Sequence, residues 1–312
     1  MTADGQPIMV ENADVESWYR AEVFINTTPG RYRFTVLYVI GSKGGGYPHH
    51  GLDEKELAVV MTAVASSSFN SRALWYSPAH LQGMLEKAAT PEEAYKILTQ
   101  NIRQYSLRGS EYGGGMTWMF SNATHVIAAE TTSDTVALVK SLSDGYIVQT
   151  NHFTKLKECN KLPVSIGSMR RFNRTTELIE KNYGKLNLQL ATEIARDHAN
   201  GDSSICSHTG AQKIFCTAAS SILLPSKEAG KLVMWTAIGE PCTNEYVIRS
   251  GALSQTHTSI TTATSMVGSV LSNILVSQNY LAMIGAVALI IISLLLIRKR
   301  ASARANERSK HR

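Results

Sequence analysis

Cysteine and histidine occur close together in one part of this 312-residue sequence, where a single serine separates Cys206 from His208 and His198 precedes them. Thiolate and imidazole are ligands that zinc prefers. The sequence contains neither a CxxC nor an HExxH pattern, so we predict no metal site and no cofactor. Whether the cysteines form disulfides or stay free thiols is open, and complete pairing of the four would have three arrangements. They are Cys159, Cys206, Cys216 and Cys242.

Two other patterns that often mark a catalytic site are incomplete. The glycine-rich stretch "GSKGGGYPHHG" at residues 41–51 lacks the GxxxxGK[ST] order of a phosphate-binding loop, so we predict a flexible surface loop. No GxSxG elbow of a serine hydrolase is present.

The formal net charge of +6 equals the net charge of residues 298–312 alone, which carry seven Lys/Arg and one Glu. The remainder is therefore neutral, and a nucleic-acid partner is not expected.

A series of short segments is more specific as a group than any segment alone. In chain order they read "TADGQPIMVENAD", "HHGLDEKELAVVMTAV", "LEKAATPEEAYKIL", "TNHF", "GSMRRFNR", "SICSH" and "IGEPC". The series runs from residue 2 to about residue 248. In its order and spacing it resembles the N-terminal-nucleophile (Ntn) cysteine hydrolases of the penicillin acyltransferase, acylethanolamine amidase and choloylglycine hydrolase type.

The resemblance implies both a fold and a reaction. The fold would be α+β, a four-layer αββα sandwich in which two antiparallel sheets pack face to face between helices. The reaction would be cleavage of a linear amide C–N bond in a small-molecule N-acyl amide, or transfer of its acyl group. The family's nucleophile is a cysteine that becomes the first residue when a precursor cleaves itself. Its own α-amine can serve as the base, because an α-amine has a pKa of roughly 8.

The resemblance also implies roles for individual residues. The family's GRN-x-D segment falls on "VENAD", where Asp14 matches the acid that hydrogen-bonds the nucleophile's amine and Glu11 stands in place of the arginine. Asn151 of "TNHF" matches the donor that stabilises the oxyanion. Arg171 of "GSMRRFNR" matches the arginine that orders the site. The remaining candidates, for substrate binding, are Arg174 and His208.

The family's nucleophile has no counterpart among these residues. Its position lies on the strand before the Asp4-Gly5 turn, and no cysteine precedes Cys159. No signal peptide precedes Asp4 either. We therefore expect a longer N-terminus with a signal segment followed by Cys-Thr or Cys-Ser. Besides the hydrolase or acyltransferase, two alternatives are open: a catalytically inactive, membrane-anchored binding protein that retains the fold, and a related dipeptidase or phospholipase-B-like enzyme.

Composition divides the chain into four regions. An 18-residue apolar stretch ends at Ile297 and has a basic flank, which is typical of a membrane span rather than a buried core helix. The basic flank should stay in the cytoplasm, which places the body outside. A tail-anchored cytosolic protein is the alternative. The predicted regions are the Ntn-hydrolase-like domain 1–250, a Ser/Thr-rich stalk 251–279, a transmembrane helix 280–298 that would contact the lipid bilayer, and a cytoplasmic tail 299–312.

Strand and helix patterns come in separate runs, which favours antiparallel sheets. Residues 77–104 predict two helices, the second with a capping box formed by Thr90 and Glu93. Residues 174–198 are also predicted to be helical. The segment "GYIVQTNHF" at residues 145–153 is predicted as the last strand of a meander.

Overall fold

A computed structural model describes residues 7–42, 44–68, 75–105, 107–108, 114–209, 214–226 and 231–249. The strands are β1 (Met9–Glu16), β2 (Tyr19–Asn26), β3 (Phe34–Gly41), β4 (Gly46–Asp53), β5 (Ala58–Val64), β6 (Trp75–Tyr76), β7 (Leu107–Arg108), β8 (Gly115–Ser121), β9 (Val126–Thr131), β10 (Val136–Leu142), β11 (Phe215–Ser226), β12 (Lys231–Ile238) and β13 (Val247–Ile248). The α-helices are α1 (Ser77–Leu85), α2 (Pro91–Tyr105), α3 (Ile166–Lys181) and α4 (Leu188–Ala195).

The larger sheet has an apolar face on each side. Within the described residues its order is β10-β9-β8-β5-β4-β3-β2, with every neighbouring pair antiparallel. Alternate residues of β5 point to opposite faces, as the pleat requires. Val59 and Met61 pack in the cluster formed with α1 and α2, whereas Ala58 and Val60 pack in the cluster shared with the smaller sheet. The larger sheet is therefore covered on both faces.

Helix α2 begins with a modified capping box. The backbone N–H of Glu93 donates to Thr90 Oγ1 at 3.2 Å, as predicted. The Glu93 carboxylate accepts from the backbone N–H of Ala89 at 2.7 Å, one residue before the N-cap. The apolar face of the helix, which includes Leu98 and Ile102, then packs on the larger sheet.

The smaller sheet completes the sandwich. In the described part of the chain its antiparallel order is β1-β11-β12-β13. Met9 and Leu223 contact residues of β4 and β5 in the larger sheet. Helix α4 packs on β1 and β11, and α3 contributes to the same outer cluster through Leu178 and Ile179. The contacts thus give the order helix, sheet, sheet, helix, which is the predicted α+β sandwich.

Three local predictions differ from the structure. Residues 145–149 are not a strand, because the chain leaves β10 and passes along a cavity instead of pairing with the sheet. The glycine-rich stretch is mostly β4, because residues 46–51 pair with β3. Residues 174–198 form two helices, because the chain turns at Gly184 with a φ of 71°.

The stalk at 251–279, the transmembrane helix at 280–298 and the tail at 299–312 lie outside the described residues. Among the residues that are described, no helix is both long enough and apolar enough to span a bilayer.

A buried carboxylate fixes the segment after Asn151. Glu130 on β9 is fully buried and accepts four hydrogen bonds. The backbone N–H and hydroxyl of Thr154 donate to Oε1 at 2.6 and 2.8 Å. The backbone N–H groups of Lys155 and Leu156 donate to Oε2 at 2.9 and 2.8 Å. One side chain therefore accepts from the backbone N–H groups of three consecutive residues, 154–156, that pair with no strand of the described part of the chain.

We expect Glu130→Gln to lower the free energy of unfolding by about 2–4 kcal/mol, because the amide –NH₂ would face backbone donors in a buried site. Urea unfolding measures the change. The control is Glu158→Gln on the exposed surface of the same segment, which should be close to neutral. Equal free energies of unfolding for the two variants would show that Glu130 does not stabilise the segment after Asn151.

Candidate functional site

The side-chain amide of Asn151 is held from two directions. Arg171 Nη2 donates to Asn151 Oδ1 at 2.7 Å, and Asn151 Nδ2 donates to the backbone carbonyl of Ala63 at 3.0 Å. These two bonds define which end of the amide is oxygen. A –NH₂ group has two donors, and only one is used by the described residues. Because Asn151 is exposed, its second N–H is available to a ligand.

The residues on either side of Asn151 are tied to the first turn of α3. Thr150 Oγ1 donates to the backbone carbonyl of Ser168 at 3.1 Å, and His152 Nδ1 lies 2.8 Å from Ser168 Oγ. Partial burial lowers the pKa of His152, so it is neutral near pH 7. The N-cap of this helix is Ser165, whose side chain accepts from the backbone N–H of Ser168. Asn151 therefore sits on a fixed stretch of chain although it is not in a strand.

The two arginine candidates on α3 have different partners. Arg174 binds Asp197 with Nε and Nη2 at 3.0 and 2.8 Å and binds Glu177 with Nη1 at 3.0 Å. Arg171 forms no ion pair with a carboxylate of the described residues, so its charge next to Asn151 is not neutralised there. Gly167 leaves space for it, since an added Cβ would be 3.3 Å from Arg171 Nη1. Arg171 thus faces the candidate site, while Arg174 joins α3 to the end of α4.

Asp14 lies on an edge strand at a bulge. Among the described strands β1 pairs only with β11, and its register shifts between Ala13 and Asp14. The hydroxyl of Thr217 donates to Asp14 Oδ1 at 2.6 Å. Asp14 also interacts electrostatically with Glu11 and Cys206. The carboxylate is therefore fixed beside a strand edge that can accept a further strand.

A largely buried polar cluster connects β1 with the larger sheet. Thr62 Oγ1 donates to Glu11 Oε1 at 3.3 Å, and His49 Nδ1 lies 3.9 Å from the same oxygen. The side chains of Glu11 and His49 are 14% and 12% exposed. Burial, reinforced by Asp14, raises the pKa of Glu11 to about 8, and burial lowers the pKa of His49 to about 4. Both are therefore predominantly neutral near pH 7, and their 3.9 Å separation is a contact of neutral groups.

A cavity of about 140 Å³ lies beside this cluster. It is lined by residues of strands β1, β5 and β8, of the segment 145–149, and of helices α3 and α4. The hydroxyl of Tyr146 donates to Glu180 and so attaches that segment to α3. Thr62 lines the cavity and is followed by Ala63, which binds Asn151. The wall is mainly apolar, and its apolar members include Met9, Val60, Met61, Met119, Ile147, Val148, Ile179, Ala191 and Ile194.

The cysteine and histidine residues of two loops meet at the end of the smaller sheet. The ligand atoms of His198, Cys206, His208 and Cys242 all lie within 4.8 Å of one another. His208 Nδ1 lies 2.9 Å from Glu240 Oε1. His208 thus belongs to this cluster, and it does not line the cavity.

The structure brings some of the predicted residues together. Asn151 and Arg171, 20 residues apart, are hydrogen-bonded. Asp14 is linked to them indirectly: it interacts electrostatically with Glu11, and Glu11 accepts a hydrogen bond from Thr62, the residue before Ala63. The roles of these residues, and of Arg174 and His208 in substrate binding, stay predictions. The sequence did not identify Cys242 as a member of the cysteine and histidine cluster, because it lies 34 residues from His208 in the chain. The one signal that could have found it was its place in the "IGEPC" segment.

One comparison with known proteins matches a family model over about half of the chain. Residues 81–241 match the family model of acyl-coenzyme A:6-aminopenicillanic acid acyl-transferase. No curated protein is significantly similar to the chain. The structure is similar to penicillin V acylase from Agrobacterium tumefaciens, with a TM-score of 0.55 and 15% identity, covering 81% of this chain and 85% of that one. It is also similar to conjugated bile acid hydrolase from Clostridium perfringens, with a TM-score of 0.46 and 13% identity, covering 83% and 98%.

The raised pKa of Glu11 predicts an unusual pH dependence of stability. The folded protein keeps a proton that the unfolded chain loses above the ordinary glutamate pKa of 4.5, so this residue lowers the free energy of unfolding as the pH rises toward 8. We expect Glu11→Gln to remove this loss and to stabilise the protein by about 2–4 kcal/mol at pH 8, but little at pH 4.

Urea unfolding between pH 4 and pH 8 measures this difference, with the exposed Glu245→Gln as control. A gain that does not grow with pH, or an equal gain in the control, would contradict a protonated Glu11.

Proposed function

Because the chain belongs to the acyl-coenzyme A:6-aminopenicillanic acid acyl-transferase family of Ntn hydrolases, we propose that it is an enzyme that acts on a linear amide C–N bond. It either hydrolyses a small-molecule N-acyl amide or transfers its acyl group. The observation that carries this proposal is the doubly held amide of Asn151 beside an apolar cavity.

Asn151 would stabilise the oxyanion of the tetrahedral intermediate. Attack on an amide carbonyl moves negative charge to its oxygen, and a donor that is already oriented costs no reorganisation when that charge develops. The second N–H of Asn151 is such a donor, since Arg171 and Ala63 fix the rest of the group. The guanidinium of Arg171 adds positive charge close by.

The cavity would hold the acyl group of the substrate. Its apolar wall, formed by both sheets and by α3 and α4, can bury a hydrocarbon or aromatic portion. The Ala63 carbonyl that orients Asn151 is adjacent to Thr62 on this wall, so a scissile carbonyl near Asn151 would have its acyl group directed inward.

The nucleophile would be a cysteine on a strand upstream of Asp4. Such a strand would pair with the open edge of β1 and place the cysteine next to Asp14, whose carboxylate would hold its α-amine. The thiolate would attack the carbonyl carbon, and the α-amine would take the thiol proton and pass it to the leaving nitrogen. Water or a second amine would then release the acyl group from the thioester.

We further propose that the body is outside the cell, anchored by residues 280–298, with residues 299–312 in the cytoplasm. The uncharged apolar stretch and its basic flank support this arrangement. Labelling of intact cells with a membrane-impermeant amine reagent tests it. Lysines of the body should react and Lys310 should not, and the reverse pattern would require the opposite orientation.

We expect Asn151→Ala to lower kcat/KM for N-acyl amides about 100- to 1,000-fold, because it removes one oxyanion donor. The assay uses the protein expressed with its upstream coding sequence and measures release of carboxylic acid from a panel of N-acyl amides and dipeptides. Asn173→Ala, an exposed position on α3, is the matched control and should retain activity.

The same assay separates the alternatives. Equal activity of the two variants would contradict the role of Asn151. Substrate binding without turnover by the complete protein, even with an intact upstream cysteine, would instead favour a binding protein that retains the fold. Turnover of dipeptides alone would favour a related dipeptidase.

A further inference from the structure

Four potential metal ligands converge at one point outside the candidate amide site. His208 Nε2 lies 3.6 Å from Cys206 Sγ, 3.5 Å from Cys242 Sγ and 2.8 Å from His198 Nε2. Around a tetrahedral zinc with ordinary bond lengths, nitrogen and sulfur ligands are about 3.6 Å apart. The two nitrogen–sulfur distances already have this value. The two imidazole nitrogens would need to separate by about half an ångström, which a small rotation of the exposed His198 side chain would provide.

We propose that His198, Cys206, His208 and Cys242 bind one zinc ion in a structural, four-coordinate site.

The surroundings of His208 fix the tautomer that a metal requires. Its Nδ1 donates to Glu240 Oε1 at 2.9 Å, which leaves Nε2, the nitrogen that lies within 3.6 Å of both sulfur atoms, as the one with a lone pair for a metal. A carboxylate on the outer nitrogen of a ligating histidine is a common second partner in zinc sites, and it increases the basicity of the ring.

The chemistry of the ligand set points to zinc. Two thiolates and two imidazoles in a tetrahedral arrangement suit zinc better than magnesium or calcium, which prefer oxygen ligands. Binding displaces both thiol protons, and the two thiolate charges then neutralise the ion. With all four positions filled by protein, there is no open position for a catalytic water. The zinc would therefore stabilise the fold and take no part in cleavage of the amide bond.

The loops that carry the ligands are also joined without a metal. Arg196 at the end of α4 donates from Nε to the carbonyl of Pro241 at 2.6 Å and from Nη2 to the carbonyl of Asn244 at 3.1 Å. The backbone N–H of Cys206 donates to the carbonyl of Asp197 at 3.1 Å. The ligands are thus brought near one another by protein contacts, so the ion has less chain entropy to overcome.

The zinc site would also help to position Asp14 through a chain of hydrogen bonds. Ser207 lies between Cys206 and His208. Its backbone carbonyl accepts from the backbone N–H of Thr217 at 2.9 Å, and its backbone N–H donates to Thr217 Oγ1 at 2.9 Å. Thr217 Oγ1 in turn donates to Asp14 Oδ1 at 2.6 Å. Fixing Cys206 and His208 on a metal would therefore restrain the threonine that positions Asp14.

The test is metal content and thiol chemistry of the full chain purified without chelators. We expect about one zinc per chain by elemental analysis. Replacement by Co²⁺ should give the thiolate charge-transfer band and the intense visible absorption of a tetrahedral site. Cys206→Ser and Cys242→Ser should each lower the affinity for Co²⁺ at least tenfold, whereas Cys159→Ser, outside the cluster, should bind as the original protein does.

Alkylation of the unmutated protein provides a test that does not depend on how the variants fold. Zinc should protect Cys206 and Cys242 from alkylation, and a chelator should expose them, while Cys159 should react equally in both states. Absence of bound zinc and cobalt, retention of metal by both serine variants, or a Cys206–Cys242 disulfide in the isolated protein would overturn the proposal. None of these results depends on amide hydrolysis, so failure here leaves the proposed function to its own test.

Discussion

The fixed carboxamide of Asn151 is the constraint on which the candidate site depends. Arg171 holds its oxygen and the carbonyl of Ala63 holds one of its N–H groups, so the remaining donor has a defined direction before any ligand binds. An irregular segment can provide this precision because its polar groups are satisfied elsewhere. Ser168 binds the residues on both sides of Asn151, and buried Glu130 binds the three residues that begin at Thr154.

The space between the two sheets combines apolar packing with neutral polar groups. Glu11 and His49 are predominantly uncharged near pH 7 because burial penalises their ionised forms. His50 Nε2 bridges the sheets by a 2.7 Å contact with Ser221 Oγ, and burial lowers its pKa as well. A cavity beside such groups suits the apolar acyl portion of an uncharged amide, while the positive charge of Arg171 is kept at Asn151, where an oxyanion would form.

The sequence predicted the features that depend on local rules. The start of α2 followed from Thr90 and Glu93, and the antiparallel layers followed from the separate runs of strands and helices. Residues 145–149 were predicted wrongly as part of a strand, because apolar residues such as Ile147 and Val148 line a cavity, which has the same preference for apolar side chains as a sheet. The proximity of Cys242 to His208 was missed, because packing between distant parts of the chain brings their loops together and no spacing rule predicts such a contact.

The most direct measurement of the central claim is a crystal structure of the protein expressed with its upstream coding sequence, with an aldehyde inhibitor bound covalently to the proposed nucleophile. The resulting hemithioacetal oxygen occupies the place of the oxyanion. This account predicts that the oxygen lies about 3 Å from Asn151 Nδ2, with the bonds to Arg171 and Ala63 retained and the inhibitor's apolar group in the cavity. An oxygen that binds other donors, with the amide of Asn151 directed away from it, would contradict the account.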